Sequence, residues 1–438
     1  MGKKESQIIL PFGIGLIGLL AARDIGGISY NKLILIGYVL CFAIFAGYKD
    51  LSMMICFMFP LTWGLPYTYI FLGTIVLYWI KRREIPIRAL LLILFFALLE
   101  VIASWFYPKP DFARVLKYLS VIAVFFTFRY DTETDKGGCI QAFYCGSIVL
   151  CLIILISTIK NAPSNWLYLF SRGWFRFGNR QADNAEGMML SVNANTLAYY
   201  SVIGISFSCC FLPGTKGSAK WFYVFGLVLF LIAGVFTVSL SWIVVLACCT
   251  LLFVFSQFRN IKIVLLTVFG AIATIVIIRV LLTGIPKLIE AFTTRMTHVD
   301  IGTGHGRTEL LLDYHNAFWS NPRFIFLGTG VTQYKQVLQL SDSFHNMIQQ
   351  IFVSYGIPAG LVFFGVLLSP LRNIEPKQTT IQQWIPIIAV FLFTQTIQFI
   401  NPESLMLPYI PAYYLLFAQS TKEGNDETLY YHGGYGGR

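Results

Sequence analysis

The chain has 438 residues, 56% of them hydrophobic and only 12% charged, with a formal net charge of +11 and a mean hydropathy of +0.68. A soluble domain carries about a quarter charged residues, so this balance excludes an ordinary soluble enzyme and predicts a protein built into a bilayer. Aromatic residues reach 16%, as expected where Phe faces lipid and Trp and Tyr sit at the interfaces.

Apolar stretches bounded by charges, Gly or Pro recur from end to end. They predict an all-α, polytopic membrane protein with one domain over 1–421 and about fourteen transmembrane helices. In chain order the spans are 7–22, 31–47, 51–63, 66–80, 88–107, 114–128, 139–159, 191–212, 221–237, 241–256, 261–282, 346–368, 384–400 and 404–419. The first run follows Lys3 and Lys4 and leads straight into further spans, so it reads as the first helix and not as a cleavable signal. Trp63-Gly64-Leu65-Pro66 divides the stretch 51–80 into two short halves, one of which is a candidate re-entrant segment. Residues 422–438, rich in Gly and Tyr, read as a disordered cytoplasmic tail. The nine cysteines all fall inside apolar runs, which argues for small buried residues and against a disulfide framework or a zinc site.

Lys and Arg in the short loops set the orientation. With a cytoplasmic N-terminus, every inner connection is marked: Lys49, then Lys81-Arg82-Arg83 and Arg88, Arg129 and Lys136, Lys216 and Lys220, Arg259 and Lys262, Arg372 and Lys377, and Lys422. This orientation places two long polar loops, about 160–190 and 283–345, outside the cytoplasm.

The first of these loops carries Arg172, Arg176 and Arg180 among Trp166 and Trp174. Their spacing makes one stripe if the segment is helical. Arginine suits bidentate contacts to phosphate oxygens, and an interfacial helix lying on anionic headgroups is the alternative. The second loop balances five bases against five acids, so its interest lies in particular residues. His345 stands at the mouth of an apolar helix, where an imidazole suits a general base or a hydrogen bond to a sugar hydroxyl; a helix cap is the plainer reading. His298, His305 and His315 match no metal motif, and no metal or cofactor is expected. Asp131, Glu133 and Asp135 read as a solvated cytoplasmic turn. Glu100 and Lys117 flank the turn at 109–111 at similar depth, where they either pair or line a polar cavity. No nucleotide-binding glycine motif is present, so an activated lipid is the more natural donor than a nucleotide-sugar.

The second loop has an ordered set of motifs: Gly306-Arg307, a helix from Glu309 to Trp319, Asn321-Pro322, Gly328-Thr329-Gly330, His345-Asn346 and Tyr355-Gly356-Ile357-Pro358-Ala359-Gly360. Upstream stands Asn193-Ala194-Asn195-Thr196-Leu197-Ala198. Together they resemble the O-antigen polymerase and O-antigen ligase (Wzy-type) superfamily over roughly 170–365. The resemblance implies a GT-C-like membrane glycosyltransferase, metal-independent, in the bacterial inner membrane with its site facing the periplasm. It implies a donor glycan on undecaprenyl diphosphate, with membrane lipids, a chain-length regulator and a flippase as partners, and no nucleic acid. It implies catalytic roles for His345, at the acceptor hydroxyl, and Arg307, at the diphosphate leaving group. It further implies substrate binding by Arg172, Arg176, Arg180, Arg295, Asn195 and Asn346. Arg176 to Gly187 and Arg295 to Gly306 repeat a spacing found in the two large loops of some polymerases. The Ser-Arg turn of many ligase-like members reads Ser239-Leu240-Ser241 here, with Arg180 or Arg279 as a substitute for the missing base. The polymerase is therefore favoured over the ligase, which transfers glycan to lipid A-core. A lipid-linked oligosaccharide flippase or other transporter has the same hydropathy without a need for two long outer loops.

Overall fold

The computed structural model describes residues 8–106, 112–129, 133–171, 175–178, 193–257, 293, 312, 314–316, 318–331, 334–338, 346–372, 374, 379–397 and 405–417. Among them there is no strand. The helices are α1 (Ile9–Asp24), α2 (Lys32–Phe45), α3 (Tyr48–Met58) with a 3-10 continuation (Phe59–Gly64), α4 (Tyr67–Arg82), α5 (Ile87–Trp105), α6 (Phe112–Arg129), α7 (Lys136–Lys160), α8 (Trp166–Ser171), α9 (Ala194–Phe211), α10 (Ser218–Thr237) and α11 (Leu240–Ser256). Further along come α12 (Pro322–Leu327), α13 (Tyr334–Val337), α14 (Met347–Arg372), α15 (Ile381–Thr394) and α16 (Tyr409–Phe417).

Helix starts follow local chemistry. Asn31, Asp135, Asn193 and Asn321 each turn a side-chain oxygen onto an orphan N–H of the first turn, at Leu33, Gly138, Asn195 and Arg323. Pro66 and Pro86, which cannot extend a preceding helix, stand just before α4 and α5.

Five helices among the described residues are long and apolar enough to cross a membrane: Ile87–Trp105, Lys136–Lys160, Ala194–Gly214, Ser218–Thr237 and Met347–Arg372. Lys32–Phe45, Leu240–Ser256 and Ile381–Thr394 are apolar but shorter. A spanning helix needs about 20 residues, and α3, with 11, falls well short of that. The break expected at 63–66 is present: α3 gives way to a 3-10 turn ending at Gly64, and α4 starts at Tyr67. The expected span 261–282 and the tail 422–438 lie outside the described residues.

The long α7 and α9 form the centre, where both are largely buried. On α7 rest α3 and α16; on α9 rest α10, α11 and α15. Gly146 lets α7 approach the Phe57 carbonyl so closely that a Cβ would collide with it. The periphery is apolar too. Leu91, Leu94 and Leu98 on α5, and Phe225, Val228 and Ile232 on α10, are exposed. Such faces suit a hydrocarbon surround and not water.

The termini of these helices sort into two groups of contacts. Lys81 donates to the Ile44 and Ala46 carbonyls, Arg129 to Val366 and Ser369, and Lys136 lies over the Phe417 ring. All three bases belong to connections that the charge pattern assigns to the cytoplasm. At the other termini, a buried Arg23–Asp24 ion pair donates to the Gly64 carbonyl at 2.7 Å, and Lys160 donates to the Ile25 carbonyl.

Candidate functional site

The most distinctive local structure lies where α14 breaks. Gly356 has φ 74° and ψ 174°, a conformation essentially restricted to glycine. Two residues on, Pro358 has no N–H. In a regular helix residue 358 donates to the Ser354 carbonyl; at this break Pro358 cannot, and the non-helical Gly356 interrupts the helical path beside it. Donors come instead from another segment. Thr329 gives both its N–H (2.9 Å) and its hydroxyl (3.1 Å) to Val353, and the Gly330 N–H donates to Ser354 at 2.9 Å. The Gly-Thr-Gly segment thus substitutes for a missing turn of helix inside a buried region, where an unmade backbone hydrogen bond is costly.

Glycine is required on both sides of that contact. Gly328 and Gly330 have φ near +70° and +75°. A Cβ on Gly328 would run into the Ser354 carbonyl, and one on Gly356 would sit 2.6 Å from the Phe326 carbonyl. The chains meet backbone to backbone, with α12 laid across α14.

The same segment is fastened to α5. Glu100 is fully buried and its Oε1 accepts the Val331 N–H at 2.8 Å. Gly330 sits so close that a Cβ there would be 2.9 Å from the Ala103 Cβ. One turn nearer the end of α5, the Arg323 guanidinium stacks 3.5 Å over the Phe106 ring, a cation–π arrangement. Lys117 is exposed and forms no ion pair with Glu100. One oxygen of the buried carboxylate is met by a backbone N–H, that of Val331.

On the other side of the break, Asn346 stands just before α14. Its Oδ1 accepts the Gln349 N–H at 3.0 Å and its carbonyl accepts the Gln350 N–H, so it caps the helix. The following residue, Met347, lies against the Thr394 and Tyr409 hydroxyls. His345, Arg307 and Arg295 lie outside the described residues.

A second polar cluster involves the first long loop. Residues 175–178 form a turn, not a helix, with Gly178 at φ +87°. The helical stripe expected of Arg172, Arg176 and Arg180 is therefore not formed at its middle member, and its other two members lie outside the described residues. Arg176 is only 7% exposed. Its Nε donates to the Thr237 carbonyl at 2.6 Å and its Nη2 to Asn195 Oδ1 at 3.2 Å. The Ser239 hydroxyl donates to that same Oδ1. Phe175, Phe177, Trp166 and Phe236 form an aromatic cluster beside it, and the Phe177 N–H donates to the Phe236 carbonyl. Arg176 and Asn195, 19 residues apart in sequence, are thus brought together at the turn between α10 and α11. That turn is the one in which Ser239-Leu240-Ser241 has no base of its own. Neither Arg180 nor Arg279 is among the described residues, but Arg176 places a guanidinium there.

In the sequence Glu100 reads as a partner for Lys117 or as part of a polar cavity, Thr329 as one member of a motif and Arg323 as one of five loop bases, and none of them is given the contact seen here. A carboxylate inside an apolar run marks a polar contact of some kind, but its partner, a backbone N–H more than 230 residues away, leaves no trace in composition. Among the described residues no three His, Cys, Asp or Glu side chains gather as a metal site would require. A scan against protein-family models finds no match for the chain, and a search of curated proteins finds none either.

Proposed function

We propose that the protein is a Wzy-type polysaccharide polymerase, a GT-C-like membrane glycosyltransferase with about fourteen spans. It acts at the outer face of a bacterial inner membrane on undecaprenyl-diphosphate-linked glycans. The observation that carries this reading is the interlock of Gly328-Thr329-Gly330 with Tyr355-Gly356-Ile357-Pro358. These are two pieces of the motif set on which the family resemblance rests. Their backbones complete one another, directly below the helix start that follows His345. The all-helical fold and its lipid-compatible faces support the same reading.

In the proposed reaction the acceptor sugar hydroxyl attacks the anomeric carbon of the growing chain. The new glycosidic C–O bond forms as the bond from that carbon to undecaprenyl diphosphate breaks. The hydroxyl proton passes to His345, and the diphosphate leaves with its electron pair and negative charge. Arg307 offsets that developing charge, as a fixed guanidinium can without a metal, while His345 matches an imidazole to a proton transfer near neutral pH. Arg172, Arg180 and Arg295 supply further diphosphate contacts. Arg176 and Asn195 shape the floor of the first loop, and Asn346 fixes the head of α14.

The test is incubation of the purified protein with a lipid-linked repeat unit, with and without lipid A-core. A ladder of products without lipid A-core is expected. Transfer seen only when lipid A-core is added means a ligase, and no transfer in either arm leaves a transporter as the reading.

A further inference from the structure

We infer that the turn between α4 and α5 binds an anionic phospholipid, with the headgroup phosphate between Arg83 and Arg88 and the acyl chains along the exposed faces of the two helices. The inference is independent of the reaction proposed above.

The bases around this turn have separate uses. Lys81 is taken up by the Ile44 and Ala46 carbonyls at the end of α2. Arg82 Nη2 lies 3.6 Å from Glu84, the only acid between the two helices, so that carboxylate is committed to Arg82. Arg83 and Arg88 are exposed, and neither takes part in an ion pair or a side-chain hydrogen bond. Two guanidinium groups five residues apart, with no acid of their own, suit phosphate oxygens. The backbone gives no reason for an arginine at 83. The residue ends α4 in the left-handed conformation, with φ 57°, a position where glycine is usual and a side chain has a steric cost.

An apolar track leads away from each arginine. Val76 and Ile80, seven and three residues before Arg83, are exposed on α4. Leu91, Phe95 and Leu98, three, seven and ten residues after Arg88, are exposed on α5. Such spacings keep each set on one face of its helix. Ile85 and Ile87, exposed between the arginines, suit the boundary between headgroups and acyl chains. Both helices lie against α6, which keeps the two tracks in one neighbourhood. A soluble anion would use the arginines alone; the tracks single out a lipid.

The test is native mass spectrometry of the full-length protein released from micelles that hold phosphatidylglycerol and phosphatidylcholine in equal amounts. A base at a membrane surface is worth about a fivefold preference for an anionic lipid. The wild type is therefore expected to retain phosphatidylglycerol over phosphatidylcholine by about tenfold or more. Arg83→Gln with Arg88→Gln is expected to lower that preference about tenfold. Arg83→Gly with Arg88→Gln relieves the left-handed backbone and is expected to show the same loss, which keeps the test open if the first variant does not fold. Lys216→Gln with Lys220→Gln removes two exposed bases at the start of α10 and is expected to stay within about twofold of wild type. Inorganic phosphate and a polyprenyl phosphate are expected to displace no phosphatidylglycerol. A preference unchanged in a folded arginine variant, or absent in the wild type, overturns the inference. An equal loss in the lysine variant overturns it too, because the attraction is then diffuse. Displacement by inorganic phosphate means that the arginines bind without the tracks, and displacement by the polyprenyl phosphate means a site for the glycan carrier; either result overturns the assignment to a phospholipid.

Discussion

Burial changes what an arginine beside a membrane surface does. Arg176 has its Nε on the Thr237 carbonyl and an Nη2 hydrogen on Asn195, so those donors hold residue 176 to the turn after α10. A lysine has one nitrogen at the end of a flexible stem and cannot reproduce the fork. Arg176→Lys and Arg176→Ala are both expected to lower stability by about 1–3 kcal/mol, read as an earlier thermal unfolding transition in detergent. Unchanged unfolding in both variants would mean that the loop is held by its aromatic residues alone. The sequence singles out Arg176 because a basic residue in a long polar loop stands apart from the short charged turns. Its orientation is not legible there. Helical spacing places it on an exposed stripe facing substrate phosphates or headgroups, whereas the non-helical segment 175–178, with Gly178 at positive φ, leaves it buried.

At the level of elements, α14 is the informative case. Hydropathy reads 346–368 as one span, and Pro358 after Gly356 signals a break within it. What the sequence hides is the donor that repairs the break, because Thr329 and Gly330 belong to a different motif 25 residues upstream. Gly356→Ala is expected to cost about 2 kcal/mol or more, since alanine does not tolerate that backbone conformation and its Cβ would meet the Phe326 carbonyl. Gly18→Ala, in α1, meets nothing within 4 Å and is expected to stay within about 0.5 kcal/mol of wild type. Thermal unfolding of the two variants side by side checks the contrast. Equal stability would mean that the Gly-Thr-Gly segment does not grip the break. The short elements show the opposite limit of legibility: the 51–80 break was visible in Trp63-Gly64-Leu65-Pro66, but the Arg23 bond that secures Gly64 was not.

Across the whole molecule, the apolar runs anticipate an all-helical chain among the described residues. Lys81, Arg129 and Lys136 each hold a helix terminus that the charge pattern counts as cytoplasmic. Helix length is less legible, because α3 is too short to cross a bilayer alone and its apolar run extends into a 3-10 turn. The region at the break of α14 is the part that the sequence carries only through motif order, since α5, residues 328–331 and α14 approach one another there. The proposal that this region transfers glycan is most directly tested by polymer length in cells expressing the protein with His345→Ala and Arg307→Ala together, with membrane insertion verified. The account predicts single repeat units and no ladder; polymer of full chain length from that variant would contradict it.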